Sequence, residues 1–384
     1  MREPSAQRIA IVGTLVRTII GFRGDLITDL VAHGYQVYAF ATDYSESTEQ
    51  QVRALGATPI RYQISRFGLN PIAEIKTTRQ LYQLFIQHGI TVSFCYFIKP
   101  VIYGTLAAWL AKVPVRVAKI EGLGRAFTKP AEGMSLKGRL VKAVQVMLLR
   151  FSLPKTQLVL FLNPEDRQDL LVNERISVAR HELLNGIGVH LDRYPQHVPP
   201  VSPMRFIFVG RLLNEKGIRY FLAAARRIKQ QHPTTEFVVL GEPDDGKVAI
   251  TRAELSALVA EGMVIYPGMV KNVVPWLSES SVFVLPSYYR EGVPRSTQEA
   301  LAVGRAVITT DMPGCRQTVQ HGVNGFLIPP HDQAALEAAM MQFIAKPELI
   351  EVMGAKSREL AEKHFDVTKI NKNILQYLHE VLPK

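Results

Sequence analysis

Cysteine is scarce in this 384-residue chain, with Cys95 and Cys315 the only two. Both fall in apolar or helical-looking segments, no CxxC pair occurs, and no Cys/His cluster forms. That usage excludes a disulfide framework and a structural zinc site, and suits a reducing compartment. Long apolar runs are missing too. No stretch approaches the roughly 20 residues that a spanning helix requires. The polar opening MREPSAQR leads into IAIVG, which is too short for the apolar core of a secretory leader. The expectation is a cytoplasmic chain, soluble or peripheral on a membrane. Nucleotide fingerprints of the common kinds are absent as well. No GxGxxG follows IAIVG, which disfavours a nicotinamide enzyme, and no Walker A loop occurs. The ten histidines form no ligand constellation; His33, His88, His232 and His321 fall at apparent helix ends, where partial positive charge is favourable. No DxD-like acidic motif ends a strand, and Asp244–Asp245 in GEPDDGK reads as a turn. No metal requirement and no bound cofactor are expected.

What is present is ample apolar material. Hydrophobic residues make up 47% of the chain, enough for two cores of ordinary size. The net charge is +11, and it is unevenly placed. Residues 1–200 hold 24 Lys+Arg against 15 Asp+Glu, whereas residues 201–384 hold 21 against 19. The basic first half could attract nucleic acid, an anionic membrane or a phosphorylated substrate.

Short β-rich runs alternate with helical periods throughout. In the first half they are IAIVG (9–13), QVYAF (36–40), TPIRYQI (58–64), TVSFCYF (91–97), VRVAKIE (115–121) and QLVLFL (157–162). In the second they are MRFIFVG (204–210), TEFVVLG (235–241), MVIYPG (263–268), SVFVLPS (281–287), AVITTD (306–311) and NGFLIP (324–329). Such alternation predicts α/β units with parallel sheets and right-handed crossovers. Between the halves lies PQHVPPVSP (195–203), with four prolines in nine residues. The expected organisation is an N-terminal domain over 1–195, a linker over 196–203 and a C-terminal domain over 204–365. In open α/β sheets ligands bind beyond the carboxyl ends of the strands, so the loops that follow strands carry the functional argument.

Two of those loops stand out. In VGRLLNEKGIRYF, Arg211 directly follows a strand and Lys216 opens the next helix, where a cation opposes the macrodipole unless an anion binds there. A diphosphate fits that requirement; solvated surface charge is the alternative. In REGVPRSTQEALAVG (290–304), Glu291 and Glu299 are eight positions apart around Pro294, a good first helical residue. Side chains lean toward a helix N-terminus, so both acids approach one ligand from that side. Facing a diphosphate they would repel it, and their natural partners are neutral hydroxyls such as a vicinal diol. A nucleotide sugar offers two diols with a diphosphate between. Exposed helical glutamates remain the ordinary alternative.

With EGVPRSTQEALAVGRAVITTD followed by GVNGFLIPP (322–330), and with VGRLLNEKG, the chain resembles the retaining glycosyltransferases of family 4. FIKPVIYGTLAAWLAKVPVRVAKIEGLGRAF (97–127) brings it near bacterial enzymes that build surface polysaccharides or lipid-linked oligosaccharides. The resemblance implies the GT-B fold, two Rossmann-like domains facing a cleft, with the C-terminal segment 366–384 returning to the first domain. It implies transfer of a hexose or N-acetylhexosamine, with retention, from a nucleotide diphosphate sugar to a saccharide or polyprenyl-diphosphate-linked acceptor. UDP is the first choice of nucleotide. By position, Arg211 and Lys216 would hold the diphosphate, and Glu299 the ribose. Glu291, with Gly292, Val293, Pro294 and Arg295, would hold the donor sugar and neighbouring phosphate oxygens. Val270 and Asn272, in the loop Met269–Val273, would pack on the base, and Gly13 would admit the N-terminal loop near the donor phosphate.

Two departures from the family pattern matter. The first loop reads GTLVRTIIGFRG, with Gly13 and Gly21 apart instead of a glycine pair, and Glu121 stands where many relatives have histidine. Glu121 is a catalytic or acceptor-orienting candidate, or a structural residue; Lys99 and Arg125 are candidates for an acceptor diphosphate. The segment SLKGRLVKAVQVMLLRF (135–151) reads as a helix with Leu136, Leu140, Val144, Met147, Leu148 and Phe151 on one side and Arg139, Lys142 and Arg150 on the other. That suits peripheral contact with an anionic membrane, or ordinary packing on a sheet. A nucleotide-sugar epimerase or hydrolase on the same fold is the rival enzyme. A nucleic-acid-binding protein is the remote one, since the better site lies in the less basic half and no nucleic-acid module occurs.

Overall fold

A computed structural model describes residues 7–65, 70–243 and 249–383; Asp244 and Asp245 lie outside the described residues. The chain divides into two compact units. The first takes residues 1–126, 136–187 and 367–384, and the second takes 127–135 and 188–366.

In the first unit the described strands are β1 (Arg8–Val12), β2 (Gln36–Ala41), β3 (Thr58–Arg61), β4 (Val92–Tyr96), β5 (Val115–Ile120), β6 (Leu158–Phe161) and β7 (His181–Leu183). They form one parallel sheet in the order β3-β2-β1-β4-β5-β6-β7. The central strands are buried along their whole length, as in VSFCY and LVLF. A parallel sheet covered on both faces demands such uninterrupted apolar runs. The crossovers run through α1 (Val16–Ala32), α2 (Glu46–Ala54), α3 (Pro71–Gln87), α4 (Thr105–Leu110), α5 (Leu136–Ser152) and α6 (Pro164–Arg167). Local chemistry sets their starts. Ser45 and Thr48 make a reciprocal cap on α2, and Asn70 caps α3 just ahead of Pro71.

The second unit repeats the plan. Its strands are β8 (Arg205–Val209), β9 (Glu236–Leu240), β10 (Ile265–Gly268), β11 (Val282–Leu285), β12 (Ala306–Thr310) and β13 (Gly325–Ile328). The parallel order is β10-β9-β8-β11-β12-β13. Its helices are α7 (Ile218–Gln231), α8 (Arg252–Ala260), α9 (Val274–Ser278), α10 (Arg295–Val303), α11 (Gln333–Ala345) and α12 (Glu348–His364). The last helix, α13 (Val367–Val381), belongs to the first unit and packs on α1, where Asn371 Nδ2 donates to Asp29 Oδ2 at 2.7 Å.

Three details differ from the expectation, the first being that residues 127–135 and 188–195, expected in the first domain, belong to the second unit. The proline-rich stretch 196–203 lies within the second unit and is fastened to it. His197 N donates to Val303 O at 3.1 Å, and its carbonyl accepts from the buried guanidinium of Arg305. Arg305 needs several acceptors once it leaves water, and the stretch supplies one of them. His33, His88 and His232 do close helices, but His321 lies in a turn before β13, where its Nδ1 accepts from Leu327 N at 3.1 Å.

In each sheet the strand order reverses at one place, between β1 and β4 and between β8 and β11. That reversal opens a crevice at the carboxyl ends of the strands. In the second unit Gly217 lets the crevice close tightly. Its φ is +83°, and a Cβ there would overlap the Pro286 carbonyl oxygen. Gly217→Ala should therefore lose about 1–3 kcal/mol from the left-handed backbone alone, with the overlap adding to it. Gly21→Ala is the control, because nothing lies within 4 Å of that helical position. It should be neutral or raise stability by up to about 1 kcal/mol. Urea denaturation of both variants checks the contrast.

Candidate active site

The loop after β8 builds one wall of the site. Arg211 follows Gly210, Leu212 N donates to Glu242 O at 3.0 Å, and Asn214–Lys216 make a single 3-10 turn. Lys216 therefore ends a tight turn just outside α7, and Gly217 is the helix cap. The loop after β11 builds the other wall. Tyr288 N and Tyr289 N both donate to the Glu215 carbonyl at 2.9 Å, and the Ser287 hydroxyl lies 3.2 Å from the same oxygen. One backbone carbonyl thus ties the two loops together.

That tie places Glu291 against Lys216. The two side chains form an ion pair, each only about a tenth exposed (11% and 13%). Ser287 Oγ stands 3.1 Å from Glu291 Oε1. Tyr289 N donates to the same hydroxyl at 3.2 Å, and the single hydroxyl proton is shared between the Glu215 carbonyl and the Glu291 carboxylate. Below them the loop after β12 closes the floor. Thr310 Oγ1 donates to Ser287 O, and Gly314, at φ +84°, lies so close to the Glu291 and Gly292 carbonyls that no side chain fits. The sequence reading assigned Lys216 to a diphosphate and Glu291 to a sugar as separate tasks. The structure joins them, since either charge alone would be costly to hold at this burial.

Glu299 lies one turn into α10, whose cap is Pro294. Its Oε1 accepts from Arg295 Nε at 3.0 Å and from Tyr194 OH at 2.9 Å. Oε2 accepts no hydrogen bond from the described residues. Arg295 also donates to Gly188 O at 2.7 Å, so its fork orients Glu299 and fixes the start of the unit. Burial, followed by the Glu299 charge, raises the Tyr194 phenol well above its ordinary pKa, and Tyr194 remains a donor at neutral pH. Val293 and Pro294 are buried between the two acids. The first N–H groups of α10 point toward the same end, as helix geometry requires. In the loop after β10, Met269 is 60% exposed, while Asn272 Oδ1 accepts from Val274 N at 3.0 Å in the turn before α9.

In the first unit, Gly13 is dictated by two tyrosines. Its carbonyl accepts from Tyr62 OH, and a Cβ would overlap the Tyr96 hydroxyl. Lys99 is engaged by Glu74 of α3 and by Ser65 O at 2.7 Å. It follows Phe97, which holds a left-handed φ of +67° at the end of β4, and precedes a π-helical turn at Pro100–Gly104. Arg125 is exposed in the one-turn helix Gly124–Phe127. Glu121 is buried with two cations, pairing with Arg23 and lying 3.2 Å from Lys119 Nζ; the Arg23 guanidinium stacks 4.3 Å from the Tyr96 ring centre. Arg23 and Lys119 were not among the sequence candidates. The available signal was Lys119, a charge inside the predicted strand VRVAKIE. Among the described residues no group of three His, Cys, Asp or Glu side chains could hold a metal ion.

Residues 203–346 match the family described as Glycosyl transferases group 1. The match spans the loops after β8, β11 and β12. Arg211, Lys216, Glu291 and Glu299 all fall inside it. The chain is similar to the N,N'-diacetylbacillosaminyl-diphospho-undecaprenol alpha-1,3-N-acetylgalactosaminyltransferase of Campylobacter jejuni, at 26% identity over 83% of this chain and 84% of that one. It is also similar to the UDP-Gal:alpha-D-GlcNAc-diphosphoundecaprenol alpha-1,3-galactosyltransferase of Escherichia coli, at 25% identity over 79% and 78%. In fold it resembles the sucrose-phosphate synthase of Thermosynechococcus elongatus, with a TM-score of 0.78 and 20% identity over 98% and 99% of the two chains. The two parallel sheets with their helices are those of the GT-B class.

Cys315 is buried near the Lys216–Glu291 pair, and burial, with Glu291 adding to it, pushes its thiol up to about 12 from 9.0. Because the folded value is the higher one, this group's stability contribution is complete below pH 9 and is lost as pH rises from there through about 12. Native protein at pH 8 should leave Cys315 unlabelled by iodoacetamide, with labelling only after unfolding, as read by mass spectrometry.

Proposed function

We propose that the protein is a retaining glycosyltransferase of family 4 type. It transfers a hexose or N-acetylhexosamine from a UDP-linked donor to a polyprenyl-diphosphate-linked saccharide in bacterial surface glycan synthesis. The observation that carries this reading is the Lys216–Glu291 pair, held by Ser287 where the sheet order reverses. Arg211 is the second residue after β8, and Glu299 offers Oε2 from the first turns of α10. The group 1 match and the two lipid-linked relatives support the same reaction class.

In this reading the donor diphosphate lies over the β8 loop and the α10 N-terminus. Arg211 and Lys216 neutralise the charge that grows on the leaving phosphate as the bond from the anomeric carbon to the phosphate oxygen breaks. The departing phosphate oxygen takes the proton of the acceptor hydroxyl on the same face, and the acceptor oxygen bonds to the anomeric carbon. Configuration is thereby retained. Glu291 accepts from hydroxyls of the donor sugar, and Glu299 Oε2 accepts from the ribose. With two cations at the diphosphate, the reaction needs no metal.

Glu291→Ala and Lys216→Ala should each lower transfer by about 10²–10³-fold, while circular dichroism remains native. Ser287→Ala, which loses one hydrogen bond to a charged group, should cost about tenfold. Radiolabelled UDP-sugar and a synthetic polyprenyl-diphosphate saccharide measure these rates, and NMR of the product reads the anomeric configuration. Undiminished transfer in both charge variants, or an inverted product, would overturn the reading. Loss of activity on adding EDTA would overturn its metal-free form.

A further inference from the structure

Helix α5 is apolar on the side that faces solvent. Leu136, Leu140, Ala143, Met147 and Phe151, spaced four, three, four and four residues apart, lie along one stripe. Leu136 exposes 82% of its surface, and Leu140, Met147 and Phe151 each expose more than half. The opposite side holds the helix to its unit through buried Val146, Leu149 and Ser152. There Gln145 Nε2 donates to Leu123 O at 3.1 Å and Lys142 pairs with Glu174 at 2.8 Å. The helix has thus already spent its packing face, and the exposed stripe is a second one. It does not end with the helix. Lys155 lies 4.2 Å from the Phe151 ring centre and 4.8 Å from that of Trp109, which joins the stripe to the exposed end of α4 at Trp109 and Leu110. A continuous exposed patch of this kind marks an interaction surface.

Its charge identifies the occupant. From residue 136 to 155 the chain has five cations, Lys137, Arg139, Lys142, Arg150 and Lys155, and no acid. Between Glu74 and Glu121 there is no acid either, and Lys112 is exposed beside Leu110. An apolar stripe flanked by Lys and Arg, with a tryptophan at its edge, fits the interface of an anionic bilayer. A second copy of this chain would bring cation against cation, which opposes self-association. Among the described residues no helix is long and apolar enough to cross a membrane, so the contact is one of lying on the surface.

We infer that the exposed face of α5, continued by Trp109 and Leu110, docks the first unit onto an anionic lipid leaflet, with Leu136, Leu140, Met147 and Phe151 entering the acyl boundary and Lys137, Arg139, Arg150 and Lys155 meeting the headgroups. The inference rests on this surface and stands independently of the reaction proposed above.

Sedimentation of the full chain with vesicles tests it, without donor or acceptor present. The protein should bind phosphatidylglycerol-containing vesicles and fall off as salt rises. The triple variant Leu140→Ser, Met147→Ser, Phe151→Ser should lose at least about tenfold in partitioning. Lys137→Gln and Arg139→Gln should each lose about fivefold. Circular dichroism and thermal melting verify that the variants fold, and since all five side chains are exposed, folding should be unaffected. Wild-type protein left in the supernatant, or a triple variant that sediments as wild type does, overturns the inference. Equal binding to pure phosphatidylcholine vesicles overturns the anionic assignment. A wild-type dimer that the triple variant converts to monomer, with no vesicle binding by either, assigns the stripe to a second copy and overturns it as well.

Discussion

The Glu215 carbonyl accepts from two successive backbone amides of the loop after β11, and the rest of the candidate site depends on that tie. It fixes the distance between the β8 and β11 loops at the point where the sheet order reverses. Gly217 is the other half of the same constraint, because only a residue without a side chain allows the β8 loop to lie against Pro286. With both in place, Lys216 and Glu291 have little freedom to separate. Their pairing then follows from electrostatics: two opposite charges nine-tenths removed from water are held at lower cost together than apart. A cation and an acid fixed beside a helix N-terminus can meet a ligand that is itself divided into an anionic and a hydroxylic part.

Glu299 shows how the same helix uses its acid differently. Arg295 and Tyr194 both donate to Oε1, which orients the carboxylate. Glu291, by contrast, is held by an ammonium group and a hydroxyl. The two carboxylates are therefore not equivalent acceptors. One is electrostatically neutralised by a cation from the facing loop, the other is steered by a planar fork that gives direction as well as charge. The eight-residue spacing alone does not distinguish these roles.

Much of the fold was legible in the sequence because parallel strands buried on both faces advertise themselves as unbroken β-branched and aromatic runs. Twelve strands fall where those runs predict. β7, the three-residue HEL, does not advertise itself, being short and polar at its start. In the candidate site the charged side chains of Lys216, Glu291 and Glu299 stand out in the sequence, and the structure pairs the first two. The site was illegible where it uses backbone: no residue preference reports that the Glu215 carbonyl will accept from the opposite loop. Ser287 was hidden for a related reason, since a lone serine after a strand is ordinary and its value comes only from the carboxylate four residues on. Asn272 shows the converse case, a polar residue in a candidate loop whose side chain is taken up by the turn before α9.

The first unit raises the same question with more charge. Arg23, Lys119 and Glu121 are gathered in its interior at the carboxyl end of β5, and the guanidinium also lies over the Tyr96 ring. Burying three ionic groups is poor value as stabilisation alone, because well-packed apolar residues of the same volume do as well or better. Such a cluster persists where position matters more than energy. Here Tyr96 links it to the strand-order reversal: its hydroxyl meets Thr18 Oγ1 at 2.9 Å and presses on Gly13, the residue that ends β1. Phe97, the next residue, is held in a left-handed conformation and leads into the π-helical turn after Lys99. Strained backbone and buried charge thus converge on the crevice between β1 and β4, the counterpart in this unit of the crevice that holds Lys216 and Glu291. Arg23 orders the centre of that network, since it touches both the Glu121 carboxylate and the Tyr96 ring, and through Tyr96 it reaches the glycine of the first loop.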